Sequence, residues 1–433
     1  MAHVFRVMAD KRGEAVQNGR RLQVTARAQR RFARLDRCAS LQNSFVTGRK
    51  LSQNDRMTTP TAGETKLFNG FYQGRRVLVT GHTGFKGGWI SLWLKKLGAS
   101  VWGVSLPPPT HPNLHEVIKA SAFAGEIECD IRNFEALSAA VQQIQPEIIF
   151  HLAAQPIVRR SYAEPLETLN TNAVGTANLL EAVRRAELSC PVIVVTSDKC
   201  YENREWEFAY RENDPLGGHD VYSMSKAATE LVAAAWSRSF FAPNPKLGPV
   251  ATVRAGNVIG GGDYAKDRLI PDCIRALMEQ QPIMVRNPSA VRPWQHVLEC
   301  LSGYLWLGAR LGQEPKTSRL AGAFNFGPEP SARQPVRRLV ETVLGIWPGK
   351  WVDGSRPDDP HEAVLLSLSI EKAGALLGWH PVWDFDEAIR RTVIWYRQRH
   401  VARSPDLLGF TLGQIDAYAE AARCKGLAWA AAA

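Results

Sequence analysis

The sequence is poor in the features that mark several protein classes. Its seven cysteines in 433 residues show neither CxxC spacing nor a paired framework, so nothing reads as a disulfide scaffold. The odd number, with no secretory leader read at the start, implies reduced thiols and a cytoplasmic protein. No apolar stretch approaches ~18 residues, so no segment reads as a membrane span, and no internal repeat marks a solenoid. Acidic residues are scarce in one place only. Up to Arg56 there are thirteen Lys and Arg against Asp10, Glu14, Asp36 and Asp55, a net of +9 out of +11 for the whole chain. The basic balance therefore says almost nothing about the body of the protein.

That Arg-rich start fits a transit peptide, a basic arm for nucleic acid, or a disordered extension or over-long start with translation from Met57. The last is the expectation: residues 1–70 form an extension, with no nucleic-acid and no membrane partner. The chain is 45% hydrophobic, ample for a sizeable core and two domains.

Arg76–Thr80 reads as a first strand, followed by the Gly-rich turn 81–88 and a helix from Trp89 to Leu97 that Gly98 ends. Ser100–Ser105 is a second strand and Ile127–Asp130 a third, with Asn133 as cap for a helix to Gln143. Glu147–Leu152 and Val192–Ser197 continue the series, helices at Thr168–Arg185 and Val221–Ser239 follow, and Val250–Arg254 is a further strand. The alternation predicts an α/β fold, a Rossmann-type doubly wound parallel sheet over residues 71–250. Helices are expected beyond it near 270–281, 295–311, 333–346 and 384–398. Residues 251–433 read mainly as a second, smaller substrate-binding domain with some segments returning to the first.

Gly81-His82-Thr83-Gly84-Phe85-Lys86-Gly87 spaces its glycines as GxxGxxG between a strand and a helix. Glycines let the backbone turn tightly, approach a pyrophosphate and pack helix on strand; the helix start adds N–H donors and partial positive charge. Gly81, Thr83, Gly84, Phe85 and Gly87 are therefore candidate dinucleotide ligands. Asp130, Ile131, Ala153 and Ala154 lie where the next strand ends approach an adenine and a ribose, although close sheet packing explains the alanines equally well. After the second strand stands Val104-Ser105-Leu106-Pro107, with neither an acid for a ribose 2′-hydroxyl nor an Arg for a 2′-phosphate. These residues do not choose between NAD and NADP.

The chemistry concentrates at Thr196-Ser197-Asp198-Lys199-Cys200-Tyr201, just past an apolar strand, and at Tyr222-Ser223-Met224-Ser225-Lys226. Parallel strands deliver such residues to the carboxyl edge of the sheet, where open α/β folds bind ligands. Tyr222 and Lys226 sit one turn apart on one helix face. A phenol of pKa ~10 is a poor base at neutral pH, but a neighbouring ammonium and a cationic nicotinamide both favour phenolate. Ser197 would hold the reacting hydroxyl. No metal site is expected.

Together the Gly turn, Ser197 and the Tyr222/Lys226 pair resemble the extended short-chain dehydrogenase/reductase superfamily, and within it the CDP-sugar branch of the nucleotide-sugar 4,6-dehydratases. The resemblance covers roughly residues 71–400 and rests on long runs, among them TGHTGFKG, HLAAQPIVRRSY, TSDKCYENREW, RENDPLGGHDVYSMSK, VRAGNVIGGGDYAKDRLIPD and RNPSAVRPWQHVLE. In related dTDP-glucose enzymes a Glu holds the place of Lys199. The resemblance implies NAD as cofactor, CDP-glucose as substrate, a 4-keto-6-deoxy product for deoxysugar and O-antigen biosynthesis, and a homo-oligomer (dimer or tetramer) joined through the helices at 168–185 and 221–239. It casts Tyr222 as base at the 4-hydroxyl, and Lys199 and Asp198 as base at carbon 5 and acid at the 6-hydroxyl, with the assignment between those two left open. Arg268, Arg286 and Arg292 are candidates for the diphosphate, Asn257 for the same region, and Gln155 and Arg159 for the sugar; His151 is read as structural. A nucleotide-sugar 4-epimerase, or a dehydratase of another nucleotide sugar, is the alternative.

Overall fold

The computed structural model describes residues 66–314, 319–355 and 365–431; residues 1–65 of the expected extension lie outside them. Seven strands form the central sheet: β1 Arg76–Thr80, β2 Ser100–Ser105, β3 Gly125–Glu128, β4 Ile148–His151, β5 Val192–Val195, β6 Val250–Arg254 and β7 Ala323–Asn325. Their order is β7-β6-β5-β4-β1-β2-β3, and every neighbouring pair is parallel. The strand order reverses between β1 and β4, and in open α/β sheets a crevice for ligands opens at such a point.

Parallel strands covered on both faces need apolar residues on both, which explains their unbroken hydrophobic runs. The pleat sends successive side chains to opposite sides. Val77, Val79, Ile148, Phe150, Ile193 and Val195 enter one core, while Leu78, Ile149, Val192 and Val194 enter the other. The first core is closed by helices α1 (Phe85–Lys96) and, later in the chain, Val297–Gln313. The second is closed by α2 (Phe134–Ile144), α3 (Gly175–Arg185) and α4 (Val221–Trp236). Asn133 caps α2 as expected, its side chain accepting from Ala136 N at 3.1 Å, a contact worth about 1 kcal/mol.

Three departures from the sequence reading have physical causes. The helix expected over 168–185 is broken into Pro165–Leu169, a wide π turn at Asn170–Val174, and α3. At that turn Asn172 faces inward and accepts from Gln155 N at 2.8 Å. β7 joins the sheet from deep in the second half; three residues are too few to show a period. The helix Leu407–Cys424 was not anticipated, although Asp406 caps it by accepting from Gly409 N at 2.7 Å.

With Val297–Gln313 named α5, Phe385–His400 α6 and Leu407–Cys424 α7, segments of the second half are tied to one another by a buried carboxylate. Glu299 of α5 accepts from Val382 N (2.8 Å), Trp383 N (2.7 Å) and the Tyr418 hydroxyl of α7 (2.8 Å). Burial pushes its pKa from 4.5 up to about 7, against the pull of those three donors. Between these values the folded chain keeps a proton that the unfolded chain has released. Its stabilising share is therefore full below about 4.5 and is lost as pH rises through about 7. Glu299→Gln should flatten this slope: denaturant midpoints at about pH 5 and about pH 8 should lie closer together in the variant than in the wild type.

Candidate active site

The cofactor cradle is made by glycines that nothing larger could replace. Gly81 has φ +74°, and a Cβ there would come within 2.6 Å of Ala153 N. A Cβ at Gly87 would fall on the Gly81 carbonyl. The turn can thus lie directly on the end of β4 while α1 starts against it. Gly84 immediately precedes α1, so the free N–H groups and positive dipole end of this helix lie at the turn. The donor set fits a dinucleotide pyrophosphate. Thr83 fastens the turn to β2, its hydroxyl 2.8 Å from Ser105 Oγ and donating to Leu106 O at 2.9 Å. Phe85 packs edge-on to Gly260. Beneath the turn, His82 and His115 both meet one oxygen of Glu126, at 2.8 and 2.5 Å. These three residues could hold a metal by donor type, but the spacings are those of hydrogen bonds, and they tie the turn to the β3 edge.

Asp130 and Ile131 follow β3. Ile131 is buried against Gly175. Asp130 receives the Arg132 fork, with Nε at 2.9 Å and Nη2 at 2.5 Å, and this hydrogen bonding holds its carboxyl below the usual range. Ala153 and Ala154 are half-buried at the end of β4.

The chemical groups meet beyond β5. Ser197 is extended, and a single 3-10 turn, Asp198–Cys200, follows. Ser197 Oγ donates to Asp198 Oδ1 at 2.9 Å and accepts from Lys199 N at 3.2 Å. Ser197 and Asp198 are buried and Lys199 is half-buried. The Gly256 backbone, after β6, lies so close to the Asp198 carboxylate that a Cβ there would overlap it. From the other side comes α4, capped by Asp220, which accepts from Ser223 N at 2.9 Å. Its Tyr222 and Lys226 are both buried. The Tyr222 phenol lies close enough to Ser197 for that side chain to favour its ionised form, and Lys226 Nζ donates to Val195 O at 3.4 Å. Burial pushes the phenol up to about 12, with Ser197 pulling the other way and Asp198 adding to the rise. Burial likewise draws the Lys226 ammonium down to about 8, helped by the charge of Lys86.

The remaining predicted residues divide. Arg268 pairs with Asp263 at 2.8 Å, and its charge favours the Tyr222 phenolate. Arg159 and Arg286 converge on Asp267, at 3.8 and 3.2 Å. Arg292 lies on the short strand Val291–Pro293, donating to Val291 O. Asn257 takes a left-handed turn, φ +49°, and its carbonyl accepts from Gln295 N. Gln155 departs from expectation. Its Oε1 accepts from Ile157 N at 2.6 Å, and its Nε2 donates to Ile157 O and Thr168 Oγ1. The amide is engaged by its own loop and by Thr168 of the helix Pro165–Leu169. His151 is structural, between Thr80 Oγ1 (2.7 Å) and Thr176 Oγ1 (3.0 Å), and burial holds it neutral with its pKa near about 3. Sequence reasoning missed Asn172, Glu230 and Gly256. Glu230 shares a helix face with Tyr222 and Lys226, but that spacing does not distinguish a buried glutamate from a solvated one.

The geometry has relatives. The profile of the NAD dependent epimerase/dehydratase family matches residues 77–322. A curated CDP-glucose 4,6-dehydratase of Salmonella typhimurium is 47% identical over 357 residues, spanning 81% of this chain and 98% of that protein. A probable dTDP-glucose 4,6-dehydratase of Sinorhizobium fredii is 27% identical over 346 residues, 74% of this chain and 92% of its own. Among solved structures, DesIV, a dTDP-glucose 4,6-dehydratase of Streptomyces venezuelae crystallised with NAD and TYD, shares the fold at a TM-score of 0.64 and 24% identity, covering 77% of this chain and 99% of that one. A glycine cradle at the sheet's switch point, a Tyr/Lys pair on the adjoining helix, and these matches lead to one assignment: the chain belongs to the NAD dependent epimerase/dehydratase family.

Proposed function

We propose that the protein is an NAD-dependent lyase that converts CDP-D-glucose to CDP-4-dehydro-6-deoxy-D-glucose and water, feeding deoxysugar biosynthesis. The observation that carries the reading is the meeting of Ser197, Asp198 and Lys199 with the Tyr222 phenol at one sheet edge. The 47% identity to a protein named CDP-glucose 4,6-dehydratase supports the choice of sugar nucleotide. NAD, held at the glycine turn 81–87 and the start of α1, would supply the hydride acceptor for oxidation at carbon 4 and the hydride donor for reduction at carbon 6, and its cationic ring would favour a nearby phenolate. Tyr222 takes the 4-hydroxyl proton, with Lys226 one turn along supporting the phenolate and Ser197 holding the oxygen that becomes the carbonyl. The 4-keto group acidifies the hydrogen on carbon 5. Lys199 removes it, Asp198 hands a proton to the departing 6-hydroxyl, and a proton returns from Lys199 to carbon 5 as hydride reaches carbon 6, so the sum is loss of one water. The diphosphate side is assigned to Arg268, Arg286 and Arg292 with Asn257, because planar guanidinium groups suit paired phosphate contacts, and Arg159 to the sugar.

The proposal extends to assembly and compartment. The large apolar side chains left exposed include Tyr162, Leu166, Val174 and Leu231, on α4 and the helical stretch leading into α3. Such a patch fits a second copy of the chain, hence a homodimer through these helices. No helix among the described residues is long and apolar enough to cross a membrane. Buried free thiols at Cys129, Cys190, Cys200, Cys273 and Cys300 suit the reducing cytoplasm proposed for the enzyme.

Incubation with CDP-, dTDP-, UDP- and GDP-glucose, read by product mass and NMR, should give a 4-keto-6-deoxy sugar from the CDP donor; a 4-epimer would overturn the dehydratase reading. Lys199→Met should still oxidise carbon 4 but stop elimination, and solvent-hydrogen exchange at carbon 5 persisting in that variant would refute its role as base. Gly256→Ala, which crowds Asp198, should lower turnover by roughly ten-fold or more while leaving cofactor affinity unchanged by calorimetry. A Leu166→Glu and Leu231→Glu double variant should run as a monomer in light scattering where the wild type runs as a dimer.

A further inference from the structure

Behind the chemical groups lies a carboxylate with no contact to the site. Glu230, two turns beyond Tyr222 on α4, is 3% exposed. Its Oε1 accepts from Thr196 Oγ1 at 2.5 Å and Arg254 Nε at 2.9 Å. Its Oε2 accepts from Thr252 Oγ1 at 2.6 Å and Arg254 Nη2 at 2.8 Å. These donors come from two neighbouring strand ends, β5 and β6. Thr196 immediately precedes Ser197-Asp198-Lys199, and Thr252 and Arg254 are on β6, two residues before the Gly256 that packs on Asp198. Arg254 carries the link onward: its Nη1 donates to the Tyr201 hydroxyl at 2.6 Å and to Glu212 O at 3.1 Å. Tyr201 in turn donates to Asn325 Oδ1 at 2.8 Å, and that residue ends β7. Four donors on two oxygens saturate the carboxylate, and a bidentate Arg fork fixes it in orientation as well as distance.

Oxidation at carbon 4 uses groups on α4, whereas elimination at carbons 5 and 6 uses groups at the end of β5. Both act on one sugar ring, so α4 and β5 must keep a fixed offset through the reaction. A misplacement on the order of 1 Å can cost about a hundred-fold in rate. We propose that Glu230, clamped by Arg254, is a positioning residue that sets the Tyr222/Lys226 pair in register with Asp198 and Lys199, so that the oxidised sugar is handed from one pair to the other without loss. This rests on the dehydratase reading above, and wild-type product formation from CDP-glucose, run in parallel, tests that reading separately.

Glu230→Gln alone leaves Arg254 buried without its counter-charge and serves only as the destabilised reference. The deciding variant is Glu230→Gln with Arg254→Met, which removes both charges and leaves a neutral amide that accepts from one threonine hydroxyl and donates to the other. It should recover much of the lost Tm, hold KM for CDP-glucose within about three-fold, and still lose about 10–100-fold in kcat, with reduced nicotinamide accumulating in the absorbance trace as oxidised sugar stalls before elimination. Recovery of kcat together with Tm would show a merely structural pair and overturn the proposal. Should the double variant not fold, Thr252→Val decides. It deletes one hydroxyl from Glu230 in an isosteric strand position, and should lower kcat several-fold with KM unmoved and reduced nicotinamide building up; wild-type kcat in this variant overturns the proposal.

Discussion

A carboxylate and a guanidinium that have almost no access to water must satisfy each other, because neither can be left alone in a protein core. Glu230 and Arg254 are in that position, and removing one partner of such a pair costs about 3–5 kcal/mol. Their neighbours leave little slack: the carboxylate has no oxygen lone pair pointing at nothing, and the guanidinium reaches Tyr201 and a main-chain carbonyl as well. Three strand ends and one helix are therefore held at set distances by directional bonds, where apolar packing alone would let them slide. The sheet supplies the direction of delivery and the ion pair supplies its accuracy.

The two halves of the crevice solve different electrostatic problems. The cofactor side is built from main chain, with glycines exposing N–H groups at the start of α1 and Thr83 fastening the turn to β2. Partial charges of this kind cost less to keep dry than full charges do. The chemical side uses full charges and hydroxyls on buried side chains, where burial dominates every shift: the phenol rises, the ammonium falls and His151 stays neutral. Arg159 and Arg286 both rest on Asp267, so each guanidinium has an anion beside it.

Much of the first half was legible because its signals are local. β1, β2 and β6 fall where their apolar runs lie, since each is bounded by Gly, Pro or charge. Tyr222 and Lys226 were legible from spacing, and Ser197-Asp198-Lys199 from its place after a buried strand. Glu230 was not, because a glutamate on a helix ordinarily faces water; its burial depends on Arg254, Thr196 and Thr252, which local sequence does not bring together. β7 escaped for the same reason, as Asn325 is tied to Tyr201 across 124 residues. Gln155 was assigned to the sugar from its position on a loop, and only the fold reveals that Thr168 and Ile157 use up its amide. Period-based reading finds what a segment does alone and misses what distant segments do to one another.

Burial raises the Tyr222 phenol to about 12 and lowers the Lys226 ammonium to about 8. The two values move in opposite directions from one cause, because a dry surrounding penalises whichever form of a group carries the charge. Anything that wets this edge of the sheet, or brings a charge to it, therefore moves both groups at once.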